Sequence, residues 1–180
     1  MIRLEYFVKD DFQQLINWIN TEELMINWSG RMFNFPLTQD SLTWYIDDTN
    51  HIGTSDVFIY KAIDEQDNVV GHVSLGSISQ TNKSARISRV FVSQEGRGRG
   101  VCRDMIKAVL QIGFEQLDLH RIALGVYDTN KAATKCYEGA GMKIEGTNRD
   151  VLLHGGSYWS MVEMSILEDE WFSLHPKQQV

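Results

Sequence analysis

From Ala85 to Phe114 the chain reads ARISRVFVSQEGRGRGVCRDMIKAVLQIGF. Its first part, Ala85 to Val92, has the composition of a strand, with Ile87 and Phe91 on one face and Ser88, Val90 and Val92 on the other. Its last part, Val101 to Phe114, sets Val101, Met105, Val109 and Ile112 at helical intervals. Between them lie Gly96, Gly98 and Gly100, interleaved with Arg97 and Arg99. Strand, glycine loop and helix follow one another. Glycines let the backbone turn tightly and approach a ligand, while the first turn of the helix offers unpaired N–H groups and the positive end of its dipole. That combination is a cradle for an anion such as phosphate. It is not the dinucleotide fingerprint, because neither Val101 nor Arg103 is glycine, and no Gly-Lys-Ser/Thr marks a Walker A loop. Read on its own, the loop also suits a flexible basic turn.

Upstream, Ile2 to Val8 reads as a short strand, and Asp10 or Asp11 opens a helix with Phe12, Leu15, Ile16 and Ile19 at helical spacing. Thr21 to Asn50 is less regular and rich in Trp28, Met32, Phe33, Phe35 and Trp44, with Pro36 as a break and Gln39 to Tyr45 helical. Val57 to Ile63 and Asn68 to Ser77 form two strands around the polar turn Asp64-Glu65-Gln66-Asp67. Downstream come a strand from Arg121 to Tyr127, a helix from Asn130 to Gly139, and a hairpin of Met142 to Leu153 with Tyr158 to Leu167. The order predicts an α+β fold with a central mixed, mostly antiparallel sheet of about seven strands and about four helices. With no repeat or linker, residues 1–180 are expected to form a single domain.

Composition bounds the function. At 43% hydrophobic and 23% charged, the 180 residues can fill a core, which excludes disorder, collagen and disulfide miniproteins. A net charge of −7 argues against a nucleic-acid backbone or an anionic lipid surface as main partner. Cys102 and Cys136 are far apart in a chain too large to need a staple, so free thiols in a reducing compartment are expected. No secretory signal and no apolar run of about 20 residues is present, so a soluble, cytoplasmic protein is expected. The five histidines and two cysteines show no metal-ligand spacing.

A second constellation is Asn130, Ala133 and Tyr137, which intervals of three and four place on one helix face. A phenol with a pKa near about 10 can protonate a leaving group of similar basicity, such as a thiolate. Tyr137 as a core aromatic and Asn130 as a helix cap fit the same spacing.

Together the two segments resemble the GNAT superfamily of N-acetyltransferases, nearer the branch of ribosomal-protein N-terminal and polyamine acetyltransferases. Val92 to Cys102 resembles that family's pyrophosphate loop, with Cys102 at the last small position. Asn130 to Met142 resembles its second cofactor motif, with Met142 in place of the usual aromatic. The order of elements matches over nearly the whole chain, in outline only for Met1 to Asp56.

The resemblance implies a three-layer GNAT-like fold and direct transfer of an acetyl group from acetyl-CoA to a primary amine, either a small-molecule amine or a peptide N-terminus. In that scheme Val90, Phe91 and Val92 give backbone hydrogen bonds to the pantetheine and thioester. Amides of Arg97, Gly98, Arg99, Gly100, Val101 and Cys102 hold the pyrophosphate. Asn130 bonds the donor chain, Ala133 leaves room for it and Tyr137 protonates the thiolate. For the proton lost by the amine, Ser88 ordering a water is the first candidate, with Glu145, Asp150, His154 and Glu163 behind it. Polyamine enzymes of this branch present carboxylates in the segment corresponding to Leu24 to Thr38. Here that segment carries Trp28, Arg31, Met32, Phe33 and Phe35, of which Trp28, Phe33 and Phe35 would wall an acceptor with an apolar body or simply pack the first helices. A non-catalytic acyl-CoA-binding module and another phosphate-ligand-binding protein are the rival classes. Trp171, Phe172 and Leu174 either close the core or meet a second subunit in a homodimer.

Overall fold

A computed structural model describes residues 1–176; the last four positions of the expected domain, 177–180, lie outside the described residues. The sheet has seven strands in the order β1-β2-β3-β4-β5-β7-β6. They are β1 (Arg3–Tyr6), β2 (Phe58–Ile63), β3 (Val69–Ser79), β4 (Ser84–Val92), β5 (Arg121–Tyr127), β6 (Lys143–His154) and β7 (Ser157–Leu167). All neighbours run antiparallel except β4 and β5. The α+β, mixed, mostly antiparallel sheet expected from the sequence is therefore present.

Among the described residues six α-helices cover it: α1 (Phe12–Trp18), α2 (Glu22–Ser29), α3 (Gln39–Ile46), α4 (Val101–Gln111), α5 (Lys131–Gly139) and α6 (Glu168–Leu174). The two beyond the expected four are α2 and α6, each short and held by its cap. Thr21 Oγ1 accepts from the Leu24 amide at 3.2 Å, and Glu170 reaches back to the Leu167 amide at 2.9 Å. The helix expected over Val101 to Phe114 is α-helical to Gln111 and continues as a π-turn over Ile112–Gln116.

Alternation along the strands divides the apolar residues between two layers. On β2, Phe58, Tyr60 and Ala62 join the core under α4, α5 and α6, whereas Ile59 joins the core under α1, α2 and α3. Met105, Ile106, Val109 and Leu110 of α4 are fully buried on the first side; Phe12, Leu15, Met25 and Leu42 fill the second. Each such side chain contributes about 1.5–3 kcal/mol by leaving water. Trp171 of α6 closes the first core by stacking on Phe114 at 5.9 Å, while Leu174 stays exposed.

Two expectations are corrected here. Ile87 and Phe91 do not share a face: Ile87 packs with Val90 and Val92 in the first core, and Phe91 lies in the second. The cause is a bulge. Ser74 pairs with Ser88 and His72 with Phe91, so Arg89 and Val90 of β4 oppose Val73 alone, and the extra residue inverts the alternation beyond it. The cysteines are not free thiols either. Cys102 in the first turn of α4 and Cys136 in α5 are joined by a disulfide with Cα atoms 6.2 Å apart. A separation of 34 residues in sequence concealed that the two helices lie side by side.

Candidate active site

β4 and β5 pair only through Ser84–Arg121, Ala85–Ile122 and Arg86–Ala123. Beyond Arg86 they diverge, because the glycine loop and α4 continue β4 on one side while β5 stays with β7. The gap is a cleft of about 780 Å³, floored by Ile87–Val92 and Leu124–Tyr127, with the glycine loop and α5 at one end and α2 at the other.

At the loop end, Gly98 and Gly100 adopt φ of +72° and +79°, a left-handed backbone that side chains resist. A Cβ on Gly98 would meet nothing within 4 Å, so the space beside it is open. Gly96 is different: it is packed, with a Cβ destined for Val92 Cγ1 at 3.0 Å. Among the described residues, the amides from Gly98 to Arg103 meet no acceptor. They include the orphan donors of the α4 N-terminus. Arg97 lies against the cleft with its guanidinium 6.0 Å from the Phe91 ring centroid. Arg99 instead turns to the Glu95 carbonyl and to Asp64 at 3.5 Å. The cradle therefore fits a pyrophosphate through backbone N–H groups and Arg97.

Across the gap stands α5. Asn130 caps it, its Oδ1 accepting from the Ala133 amide at 3.1 Å, which leaves the side-chain amide to donate into the cleft. Ala133 keeps the wall low, and Tyr137 is 5% exposed among core residues while still lining the cleft. Burial pushes its phenol well above the ordinary tyrosine value, so it is protonated at neutral pH. Val90, Val92, Val101 and Cys102 also line the cleft.

The acceptor end departs from the sequence reading. Trp28 lines the cleft and donates its indole N–H to the Arg89 carbonyl at 3.0 Å. Phe33 does not; it stacks behind Trp28 at 5.4 Å and is buried in the second core. Phe35 is 44% exposed and also outside the lining. Ser88 does line the cleft, but its hydroxyl is already bonded to Ser74 Oγ at 2.9 Å and to Arg89 Nη1 at 2.6 Å. Arg89, which donates to that hydroxyl, and Tyr45, against whose ring its guanidinium lies, were not singled out from the sequence; an arginine in an apolar strand was the one available sign.

None of the four further candidates for receiving the amine proton lines the cleft. Glu163 is paired with Arg86 at 2.9 Å, and His154 packs edge-on to Trp159. Asp150 lies on the exposed strand β6. Glu145 binds Arg121 through both oxygens at 2.6 and 2.7 Å, and with the Ser165 hydroxyl this holds its carboxyl at about 2. Because that value lies below the ordinary carboxylate range of about 4.3, the pair's contribution to stability is complete above that range and is lost as the pH falls toward 2. Glu145→Gln should therefore lower the melting temperature slightly at pH 7, and the difference from wild type should vanish on acidification through that window. Parallel melting curves against pH check it; a difference that is constant with pH contradicts it.

The sequence matches the model of the family described as "Acetyltransferase (GNAT) family" over residues 13–142. It is 31% identical over 110 residues to spermidine N(1)-acetyltransferase of Vibrio cholerae serotype O1, covering 61% of this chain and 63% of that protein. It is 30% identical over 101 residues to the putative ribosomal N-acetyltransferase YdaF of Bacillus subtilis, covering 56% and 55%. In sequence the chain thus spans less than two thirds of the length of these curated relatives. Its fold superposes on a crystal structure of spermidine N-acetyltransferase from Vibrio cholerae in complex with CoA and spermine, with TM-score 0.82 and 26% identity over 95% of this chain and 98% of that one. Among the described residues no helix is long and apolar enough to cross a membrane.

Proposed function

The chain belongs to the acetyltransferase (GNAT) family, and from that premise we propose that it transfers the acetyl group of acetyl-CoA directly to a primary amine in the cleft between β4 and β5. The observation that carries this reading is the juxtaposition of an anion cradle, a stretch of strand open on its β5 side and a protonated phenol along one cleft.

Each part has a task set by its chemistry. The free amides from Gly98 to Arg103 and the Arg97 guanidinium hold the pyrophosphate. Backbone groups of Val90 to Val92 that have no partner on the β5 side bond the pantetheine amides and polarise the thioester carbonyl as negative charge builds on its oxygen. Acetyl-CoA supplies an electrophilic carbonyl carbon bonded to sulfur. As the amine nitrogen bonds to that carbon and the carbon–sulfur bond breaks, Tyr137 gives its phenolic proton to the departing thiolate and recovers one from solvent. The nitrogen sheds its proton to water at the acceptor end, where Ser88 Oγ offers an anchor.

The acceptor class follows less directly from the relatives. The Vibrio cholerae relative is named for spermidine, which suggests a cationic aliphatic amine, whereas Trp28 at the acceptor end suits an apolar body. Acetyl-CoA at saturating concentration is expected to raise the melting temperature, since only the native cleft binds it, and a screen of thiol release across polyamines, amino acids and short peptides should find acceptors. A melting temperature indifferent to acetyl-CoA overturns the reading.

A further inference from the structure

At the acceptor end the β4 bulge places Arg89 at φ +52°, a strained conformation for a non-glycine residue that is held here by its surroundings. The Trp28 indole bonds its carbonyl, and the half-buried side chain runs back between Tyr45 and the serines. The guanidinium carbon lies 5.3 Å from the Tyr45 ring centroid. Nη1 donates to Ser88 Oγ at 2.6 Å and points toward Ser74 Oγ at 3.4 Å. Nη2 rests 2.7 Å from the sulfur of Met32, a weak acceptor, and Nε is buried and meets no acceptor among the described residues.

Among the described residues no carboxylate answers this charge: Arg89 joins no ion pair, and Glu23, the acidic residue that lines the cleft, from α2, does not reach it. The other titratable groups packed on it are uncharged. Burial and Arg89 itself push His72 down to about 3, and burial pushes Tyr45 up to about 12. A partly buried guanidinium with two oxygen partners on one nitrogen and only a thioether sulfur on its Nε–Nη2 edge is a fork of the geometry that a carboxylate accepts in two parallel bonds. Met32, unbranched and 46% exposed, covers that edge and can swing away.

We propose that Arg89 receives a carboxylate of the acceptor, so that this chain acetylates primary amines that carry a carboxylate: free amino acids, or peptides with an acidic group near the N-terminus. The inference rests on the acetyl-transfer reading for its chemistry but makes a separate claim, about what the acceptor end binds. It also sets this chain apart from its polyamine relative, because a polycation placed beside an unpaired guanidinium is repelled.

The test measures binding as well as turnover. Binding of amino acids, of their carboxamides, of peptides with and without an acidic second residue, and of spermidine is measured by calorimetry in the presence of CoA, for wild type, Arg89→Met and Arg89→Lys. In wild type the carboxylated amines are expected to bind about 10- to 100-fold more tightly than the matching carboxamides. Arg89→Met should erase that ratio and Arg89→Lys should leave a part of it. The peptide and free amino-acid arms show which source of carboxylate is read. Equal binding of acid and amide by wild type overturns the proposal without any variant, as does tighter binding of spermidine than of every carboxylated amine. If carboxylated amines bind through Arg89 but release no thiol from acetyl-CoA, the acetyl-transfer reading fails while the anion receptor stands.

Discussion

Tyr137→Phe should reduce kcat by about 100-fold and leave acetyl-CoA binding unchanged. The size follows from the leaving group. A thiolate with a pKa near about 8.5 can depart unprotonated in water at a cost, so the phenol contributes toward the lower end of the usual range for a general acid. The separation of kcat from binding follows from position: Tyr137 lines the cleft from α5, whereas the anion cradle is made by the loop and by α4. Stability should barely move, because the hydroxyl makes no hydrogen bond among the described residues and the ring that fills the core is retained. Steady-state kinetics and thermal shifts with acetyl-CoA measure both sides. A variant with unaltered kcat removes Tyr137 from the chemistry, and one that loses the thermal shift makes it a binding residue instead.

The second large effect concerns the disulfide. Cys102 and Cys136 close a loop spanning 34 residues and tie the first turn of α4, which ends the anion cradle, to the helix that carries Tyr137. On the chain-entropy account a loop of this length stabilises the fold by about 3–4 kcal/mol. For a domain of this size that corresponds to roughly 10 °C in melting temperature. The double variant Cys102→Ala, Cys136→Ala, or wild type in excess reductant, should melt lower by that amount. Two titratable thiols in the untreated native protein, together with a melting temperature insensitive to reductant, would dismiss the bridge.

How much of this was legible beforehand depends on whether the information is local. The strand, loop and helix from Ala85 to Phe114 were readable because alternation, glycine spacing and helical period are written in adjacent residues, and the seven strands came from the same kind of signal. The α2 helix carries a start signal in Thr21 followed by Glu22 and Glu23, but its apolar residues Leu24, Met25, Ile26 and Trp28 run nearly together and show no clear period. The bulge at Arg89 left no trace, since neither a glycine nor an asparagine marks its positive φ. Its consequences were correspondingly missed: the reversed faces of Ile87 and Phe91, and the polar cluster at the acceptor end. The pairing of Cys102 with Cys136 depends on how α4 and α5 pack, a tertiary fact with no local signature. Phe33 and Phe35 illustrate the same limit. Composition identified an aromatic segment, but only the fold decides that Trp28 faces the cleft while Phe33 stands behind it.

The divergence of β4 from β5 has a consequence for how this protein can evolve. Extending the parallel ladder past Arg86 would pair more backbone groups and would stabilise the fold, yet each added rung would close the cleft from its floor. Selection for a sturdier sheet and selection for donor binding therefore act on the same few hydrogen bonds in opposite directions. The strand from Ile87 to Val92 is kept as an internal edge toward β5, shielded by the molecule's own layers from pairing with other chains, and on the proposed function it is completed when the donor's amides lie along it.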